Sequence, residues 1–569
     1  MHYMILACDY DGTLAKDGIV SQRTIHALER VVASGRKLLL ITGRLLEDIQ
    51  RIFPRLDLFT WVVAENGALF YSPASGTKKL LAEAPPPQFV ELLRSKGVTP
   101  LEVGEVIVST HSPYETTVIE AIHELGLEHQ VIFNKGAVMV LPAGINKGTG
   151  LKRVLDTLMI SSHNVVGVGD AENDHSFLSL CECSVAVSNA LPALKDRADY
   201  VTKADHGNGV VELVDQLVAD DLREIDGRVA RCKLVLGTKK NNEPLILNVN
   251  RTNMLIAGAS GSGKSTLAMS LLEQLIDQCY QFCLIDPEGD YETFQAATSL
   301  GSSQKEPTAQ EMLQLLEKPE QEAIMNLLGC PLSDRPMIAR NLLPSLRELQ
   351  IRLGHPHWLI FDEAHHVFPP EFDAATLIEM RDLFNLLFIT AHPGSIARRV
   401  LELIDVAIFV GAQAPSVLRE FCSALGLSEI GPLPATIDSG AALVWFRDAT
   451  TPAVQIVPAH PEEEHLRHRR KYAEGNVGEK SFYFRGPEGR LNLRAQNLII
   501  FMQIAQGIDD ETWLFHLRKG DYSHWFREDI KDPDLAREAE EVERDMQLSA
   551  QESRERIRAA IDKRYTLPD

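Results

Sequence analysis

The stretch ILACDYDGTL, residues 5–14, ends an apolar run with two aspartates and a Gly-Thr pair. The apolar run predicts a buried strand, and the turn-forming residues behind it predict that the strand ends near Asp9. Ligands of parallel α/β sheets bind beyond the carboxyl ends of the strands, so Asp9 and Asp11 are candidate site residues. An Asp-x-Asp pair at such a place is also consistent with a plain turn or a helix cap.

Around this stretch, residues 1–220 alternate short apolar runs with helical patterns. Such alternation predicts one α/β domain with a mostly parallel sheet. Between residues 83 and 141 the rhythm changes to short strands and a helix in YETTVIEAIHELG, which predicts a small inserted α+β module that could act as a lid.

Three further stretches place polar residues at predicted strand ends or helix starts: LLLITGR at 38–44, INKGTGL at 145–151 and VGVGDAENDHSFL at 166–178. Together with the first stretch they make four separated pieces of one candidate site. The residues they contribute are Thr42, Lys147, Asp170, Asn173 and Asp174.

In order and residue type, these four pieces resemble the four motifs of the haloacid dehalogenase superfamily of phosphotransferases. AENGA at 64–68 and SVAVSNA at 184–190 are similar to its Cof-type branch. The resemblance implies a Rossmannoid core, residues 1–82 and 142–220, with a cap at 83–141 inserted between the second and third motifs.

The resemblance also implies roles in hydrolysis of a phosphomonoester. Asp9 would be the nucleophile, and Asp11 the acid that protonates the leaving oxygen and then activates water. Thr42 and Lys147 would hold the phosphate oxygens. A carboxylate cannot attack a phosphate dianion unless cations cancel the repulsion, and this requirement independently favours Mg²⁺ beside a lysine.

The implied Mg²⁺ ligands are Asp9, the main chain of Asp11 and Asp170, with Asp174 and Asn173 supporting them. Arg44 and Asn66 follow their strands and could touch the substrate. An ordinary surface arginine and a turn asparagine explain them equally well.

A second phosphate motif, GASGSGKST at 258–266, lies between an apolar strand and a helix. Its glycines allow backbone N–H groups to point at phosphates, and Lys264 can reach the terminal phosphates of ATP. Ser265 would bind Mg²⁺. The other candidate nucleotide contacts are Gly258, Gly261, Gly263 and Thr266.

About a hundred residues later, HWLIFDEAHH at 357–366 gives a strand that ends in Asp362 and Glu363. The first acid would support Mg²⁺ and the second would polarise water, although a plain helix cap is the alternative. A kinase must keep water away from the γ-phosphate, so Glu363 favours an ATPase.

FCLIDPEGDY at 282–291, DEAHH at 362–366 and the stretch 386–411 resemble the HerA, FtsK and VirB4 group of hexameric P-loop ATPases. The resemblance covers about residues 232–458 and implies a RecA-like domain at 221–460 that assembles as a homohexamer, and it leaves DNA open as a partner. A neighbour's arginine completes the site in that group. Arg398 and Arg399 are candidates for this arginine. The alternative is that they simply lie on a solvated helix face.

The sequence departs from that group at the sensor strand, where the usual Thr-Gln is Thr390-Ala391-His392. Thr390 and His392 are therefore candidate site residues. The departure weakens the expectation that the domain translocates DNA, as members of that group do, more than it weakens the expectation of ATP hydrolysis.

The remainder is less specific. Residues 461–480 predict a charged linker, and 481–569 a small, mostly helical domain that packs its aromatic residues and ends in one long charged helix. The net charge of −22 speaks against a generally basic nucleic-acid coat, and eight scattered cysteines without a transmembrane run favour a cytoplasmic protein without membrane insertion.

The combination of a predicted phosphatase domain and a predicted P-loop ATPase domain is consistent with three functions. The leading one is a Mg²⁺-dependent phosphatase, acting on a phosphorylated small molecule such as a sugar phosphate, whose activity is gated or positioned by an oligomeric ATPase. The alternatives are a HerA-like DNA translocase that presents phosphate ends, and an enzyme like the polynucleotide kinase-phosphatases.

Overall fold

The computed structural model describes residues 1–134, 136–229, 233–248, 251–292, 294–372, 375, 377, 385–427, 436–438, 440–447, 453–461, 481–530 and 532–565. The chain divides into two compact units: residues 1–259 with 271–457, and residues 260–270 with 458–569. The linker expected at 461–480 lies, from residue 462 onward, outside the described residues.

The N-terminal part of the first unit is built on a sheet that has eight strands among the described residues, in the order β14-β13-β12-β1-β4-β5-β6-β7. The strands from β14 to β5 are parallel, and β6 and β7 continue antiparallel. The bounds are β1 Ile5–Asp9, β4 Lys37–Ile41, β5 Trp61–Ala64, β6 Leu69–Tyr71, β7 Lys78–Leu80, β12 Val165–Gly169, β13 Cys183–Ala186 and β14 Tyr200–Val201; a small hairpin, β2 Ala15–Lys16 with β3 Ile19–Val20, follows β1.

Helices cover both faces of this sheet, so β1 is buried along its whole length. The helix Lys147–Leu158 begins with a capping box, in which the side chains of Asn146 and Thr149 satisfy each other's backbone N–H groups. The helices are Gln22–Ala33, Leu46–Ile52, Lys147–Leu158, His175–Leu178, Pro192–Lys195 and His206–Asp220.

A smaller layer is inserted after β7. Its described strands form an antiparallel sheet in the order β10-β11-β9-β8, with two helices and a separate apolar core. The bounds are β8 Glu102–Val103, β9 Val108–His111, β10 His129–Asn134, β11 Ala137–Pro142, and the helices Pro87–Ser95 and Glu115–Glu124.

The first unit contains a second sheet, with eleven strands among its described residues, in the order β16-β15-β25-β24-β23-β17-β22-β21-β18-β20-β19. The strands from β23 to β19 are parallel. The strands are β15 Lys233–Lys239, β16 Pro244–Asn248, β17 Met254–Ala257, β18 Phe282–Asp286, β19 Thr298–Leu300, β20 Ala323–Asn326, β21 Trp358–Phe361, β22 Asn385–Thr390, β23 Val406–Val410, β24 Ala442–Phe446 and β25 Val454–Pro458. The helices include Lys264–Asp277, which belongs to this unit from residue 271 onward, and Ala309–Leu316, Arg335–Leu353, Ala364–Val367, Arg398–Leu401 and Ala414–Leu425.

The C-terminal part of the second unit packs a hairpin against helices around an aromatic core that includes Phe484, Phe501, Trp513 and Tyr522. The hairpin is β26 Phe482–Phe484 with β27 Leu493–Ala495, and the helices are Leu498–Gly507, Asp510–Lys519, Asp521–Glu528, Pro533–Arg544 and Ala550–Tyr565.

The expectation of one long terminal helix is wrong, because the charged segment forms two helices. Ser549 and Glu552 satisfy each other's backbone N–H groups, which starts a new helix where the charge pattern runs on without a break. Among the residues that the structure describes, no helix is both long and apolar enough to cross a membrane.

Candidate functional site

The four sequence pieces of the N-terminal domain meet at the carboxyl end of the first sheet. The ammonium group of Lys147 lies 2.5 Å from Oδ1 of Asp9 and 2.6 Å from Oδ1 of Asp174, and all three side chains are buried. Asp9 ends β1, Asp174 follows β12, and Lys147 is the first residue of the helix Lys147–Leu158. Residues far apart in sequence therefore form one contact cluster.

The acids of this cluster are held in place by the backbone. Oδ2 of Asp174 accepts hydrogen bonds from the backbone N–H groups of Asp170 and Ala171 at 2.8 and 2.9 Å, and Thr13 donates to Asp170 at 3.2 Å. These bonds fix the loop after β12 and aim its carboxylates toward the end of β1.

The cluster fits a divalent cation. Asp9, Asp170 and Asp174 each place an oxygen within 4.8 Å of the others, and all three are buried. Lys147 brings a single positive charge to three carboxylates, which leaves excess negative charge in a place of low dielectric. Hard cations such as Mg²⁺ prefer this oxygen donor set.

Burial is the largest cause that raises the pKa of Asp9 well above its usual range, and the Asp174 carboxylate acts in the same direction, while Lys147 opposes both. Burial by itself would lower the pKa of Lys147, but the carboxylates of Asp174 and Asp9 outweigh it, so this pKa is raised and the lysine stays charged. An additional cation would therefore favour the ionised form of Asp9.

Thr42 and Asn66 lie side by side next to this cluster. The backbone N–H of Asn66 donates to the Thr42 carbonyl at 3.0 Å, and the Asn173 amide donates to Oδ1 of Asn66 at 3.0 Å. Asn66 is fully buried with φ of 54°, and its own amide nitrogen has no partner among the described residues. Gly67 admits no side chain, because a Cβ would lie 1.9 Å from the Asn146 carbonyl.

Arg44 contacts Asp11 rather than standing free on the surface. Its guanidinium donates to both carboxylate oxygens of Asp11, at 2.6 and 2.7 Å, and both side chains remain partly exposed. The Asp11 hydrogen bond is the largest cause that raises the pKa of Arg44. This bidentate pair therefore remains accessible to a ligand from the solvent.

Glu65 lies within AENGA at 64–68, and the sequence assigns it no role. The Glu65 carboxylate accepts backbone N–H groups of Glu105 at 3.0 Å, Val106 at 2.8 Å and Ile107 at 3.1 Å, all in the inserted layer. A Cβ on Gly104 would lie 2.7 Å from this carboxylate, so the approach is close. Glu65 thus tethers the inserted layer to the core.

In the second sheet, the glycine-rich loop follows β17, the strand between β22 and β23. The N–H of Gly258 donates to the Thr390 carbonyl at 3.3 Å. Gly261 and Gly263 have φ of 75° and 99°, a region that favours glycine. The helix begins at Lys264, which is buried.

The next two residues of the loop motif, Ser265 and Thr266, are exposed and half-buried respectively, in the first turn of this helix.

Asp362 and Glu363 lie at the carboxyl end of β21 as the sequence predicts. Burial is the main cause that raises the pKa of Asp362, and Glu363 adds to it. Glu363 has φ of 36°, an uncommon conformation for this residue type. Nδ1 of His365 lies 3.1 Å from Oγ1 of Thr390 and 3.3 Å from Oε2 of Glu363, so it joins the acid to the sensor strand.

Two residues of this region received no role from sequence. His365 is one of them, and Asp286 at the end of β18 is the other. The Asp286 carboxylate accepts backbone N–H groups of Gly289, Asp290 and Tyr291 at 2.8, 3.1 and 2.8 Å, and burial raises its pKa to about 6. The available signal was the same as for Asp9: an acid at the end of an apolar strand.

The remaining candidates lie on the surface. His392 is exposed, and its N–H donates to Oγ1 of Thr390 at 3.0 Å. Arg398 and Arg399 are exposed on a short helix, where Arg398 pairs with Glu402 at 3.1 Å. Within the first unit, this places the two arginines on a solvent-facing helix.

The fold and the acid–lysine cluster define a phosphate-handling α/β enzyme, and comparison with known proteins narrows the class. Residues 6–101 and 90–214 match the family model of haloacid dehalogenase-like hydrolases, and residues 248–400 match that of an AAA domain.

A phosphoglycolate phosphatase of Methanothermobacter thermautotrophicus is 30% identical over 219 residues, 37% of this chain and 96% of that protein. A Bacillus subtilis 5-amino-6-(5-phospho-D-ribitylamino)uracil phosphatase is 22% identical over 258 residues, again 37% of this chain and 96% of that protein. A solved haloacid dehalogenase-like hydrolase from Bacteroides thetaiotaomicron is 20% identical with a TM-score of 0.34, covering 38% of this chain and 99% of that one.

The chain belongs, through its N-terminal domain, to the haloacid dehalogenase-like hydrolases. The second sheet carries a P-loop domain of AAA type. The two matches support phosphatase and ATPase activity in one polypeptide.

Proposed function

We propose that the N-terminal domain hydrolyses a small phosphomonoester through an aspartyl-phosphate. Asp9 attacks the phosphorus, the ester P–O bond breaks, and the leaving oxygen takes a proton from Asp11. Water then hydrolyses the acyl phosphate and restores Asp9. The observation that carries this proposal is the buried contact of Lys147 with Asp9 and Asp174.

The other candidate residues have positioning roles in this proposal. Thr42 and Lys147 hold phosphate oxygens, while Asp170, with the Asp11 main chain, would hold Mg²⁺. The bound ion would offset the repulsion between carboxylates and phosphate.

The substrate class proposed is a short organic phosphate with a second anionic group, such as phosphoglycolate. Two matched relatives act, by name, on phosphoglycolate and on a phosphoribityl compound. The leaving oxygen must approach Asp11, which brings the carbon body of the substrate next to Arg44. A guanidinium recognises a carboxylate with two parallel hydrogen bonds, so Arg44 would exchange its contact with Asp11 for the substrate carboxylate and free Asp11 to act as the acid.

A substrate screen tests this proposal. Phosphoglycolate, sugar phosphates, nucleotides and DNA with phosphorylated 3′ or 5′ ends are compared with Mg²⁺, with and without ATP. We expect phosphoglycolate to exceed ethyl phosphate in kcat/KM, and Arg44→Gln to remove roughly tenfold or more of that preference. Preferential hydrolysis of DNA ends would replace this substrate class with the nucleic-acid alternative.

For the second domain we propose ATP hydrolysis rather than phosphoryl transfer to an acceptor. Glu363 lies where it can orient water, and His365 connects it to Thr390. We further propose that the domain works as a ring, a homohexamer of HerA type, with Arg398 or Arg399 entering a neighbour's site. Native mass measurement tests the ring: a strict monomer with full ATPase activity contradicts it.

A further inference from the structure

The two sheets of the first unit meet at their amino-terminal edges. On the phosphatase side, the contacts come from His163 and Asn164, directly before β12, and Glu182, directly before β13. On the ATPase side, they come from Gln278 and Tyr280, directly before β18. We call this contact region the joint.

The centre of the joint is a buried contact between His163 and Glu182, to which the ATPase domain contributes further partners. His163 contacts the Glu182 carboxylate with Nδ1 at 2.6 Å and the Gln278 carbonyl with Nε2 at 2.8 Å. Tyr280 donates to the other oxygen of Glu182 at 2.7 Å, and its ring stacks on His163 with centroids 3.7 Å apart. Glu182 is fully buried, so loss of the ATPase partners would leave its charge under-paired.

A second group of contacts fixes the same edge. His355 precedes β21. Its Nδ1 lies 2.7 Å from the Gln281 amide oxygen, and its Nε2 lies 3.0 Å from the Met159 carbonyl oxygen. The Asn164 amide donates to the Gly354 carbonyl at 3.1 Å. A Cβ on Gly354 would lie 2.5 Å from Cγ of Asn164, so the Asn164 side chain packs directly against the Gly354 backbone and would have to move to admit a side chain there.

Ion pairs surround this core. Arg251, which precedes β17, donates to Asp221 at 2.8 Å, and Arg36, which precedes β4, donates to the other oxygen of the same carboxylate at 2.8 Å. Lys152 pairs with Glu320 at 2.7 Å on the exposed rim.

We infer that the joint holds the phosphatase and ATPase domains as one body whose two catalytic edges face in opposite directions. Asp9 ends β1 and Asp362 follows β21, and both strands start at the joint. At about 3.3 Å per residue, two such strands separate the edges by roughly 30 Å. Phosphate released at the ATPase edge would thus not pass directly to Asp9 of the same chain, and any influence of nucleotide on the phosphatase would cross the joint.

Zero-length carbodiimide crosslinking of the full chain tests the arrangement. We expect a Lys152–Glu320 amide in the monomer fraction, identified by mass spectrometry, at a yield like that of Lys305–Glu311, an exposed pair within the ATPase domain at 3.1 Å. Glu320→Gln should abolish the first product alone. Formation of the control product without the Lys152–Glu320 product in the wild type would overturn the joint. This measurement needs neither enzyme activity, so its failure is distinct from failure of the proposed function.

A second experiment tests coupling through the joint, and its consequence rests on the proposed function. Saturation with a non-hydrolysable ATP analogue, with binding verified by equilibrium dialysis, should raise the temperature at which phosphatase activity is half lost by roughly 5 °C or more. Tyr280→Phe should reduce this shift. The control Tyr200→Phe removes a matched tyrosine–glutamate bond to Glu212 inside the phosphatase domain and should keep the shift. No shift in the wild type, or an equal shift in both variants, would overturn coupling through the joint.

Discussion

The phosphatase edge and the ATPase edge differ in whether the candidate catalytic residues of each site come together within one domain. At the phosphatase edge the charged lysine contacts the proposed nucleophile within a buried cluster. At the ATPase edge the two candidate arginines are exposed on a short helix, and one of them pairs with a glutamate of its own helix end. The first arrangement suits a site that works in one chain, and the second suits a site that a neighbouring chain completes.

This contrast has a consequence for regulation. The activity of a site completed within one domain depends on the substrate concentration but not on the protein concentration. The activity of a site completed by a neighbouring chain also depends on assembly of the chains. Variants that separate the two activities therefore test the comparison directly.

Asp9→Asn should give the largest separation. The amide keeps the shape but removes the nucleophilic charge, so phosphatase kcat should fall by roughly 10⁴-fold or more, with ATPase turnover unchanged. The control is Asp17→Asn, an exposed carboxylate on the hairpin after β1, which should retain activity. Steady-state hydrolysis of a small phosphomonoester measures both, and near wild-type turnover by Asp9→Asn would exclude the aspartyl-phosphate mechanism.

The double variant Arg398→Ala with Arg399→Ala tests whether the ATPase site needs an arginine from a neighbouring chain. If a neighbour's arginine completes the ATP site, turnover should fall by roughly 10³-fold while nucleotide still binds. Mixing this variant with Lys264→Ala protein should partly restore turnover, since each subunit supplies what the other lacks. Unchanged turnover in the double variant would show that the exposed arginines have no part in hydrolysis.

Glu363→Gln should lower ATP turnover by roughly 10²-fold, because the amide cannot polarise water as the carboxylate does. It should leave ATP bound, whereas Lys264→Ala should weaken binding itself. Nucleotide retention on a spin column distinguishes the two. Full turnover by Glu363→Gln, or transfer of labelled γ-phosphate to an acceptor, would favour a kinase.

The sequence predicted the parts of the molecule whose signals are local. Strand ends followed by acids located Asp9, Asp170 and Asp362, because the carboxyl edge of a parallel sheet brings such ends together. The glycines with positive φ in the P-loop could also be predicted from the sequence, because that backbone conformation favours glycine.

Long-range contacts between polar side chains and backbone were not readable. Glu65 accepts N–H groups from some forty residues away, and Glu182 is satisfied by a tyrosine of another domain. No spacing rule announces such partners. The break between the two terminal helices was missed because a capping box around Ser549 lies inside a continuous charge pattern.

The smallest predicted effect concerns the tether between cap and core, and it tests how complete the phosphatase edge is. Glu65→Gln replaces one carboxylate oxygen by an NH₂ group, which cannot accept an N–H group, so in either orientation of the amide at least one of the bonds from Glu105, Val106 and Ile107 is lost. A loosened cap should raise KM several-fold and change kcat less, because Glu65 does not belong to the acid–lysine cluster. The exposed carboxylate of Glu83 provides the control variant, Glu83→Gln, which should change neither constant. An equal fall in kcat for all substrates without a change in KM would mean that Glu65 supports the core fold rather than the placement of the cap.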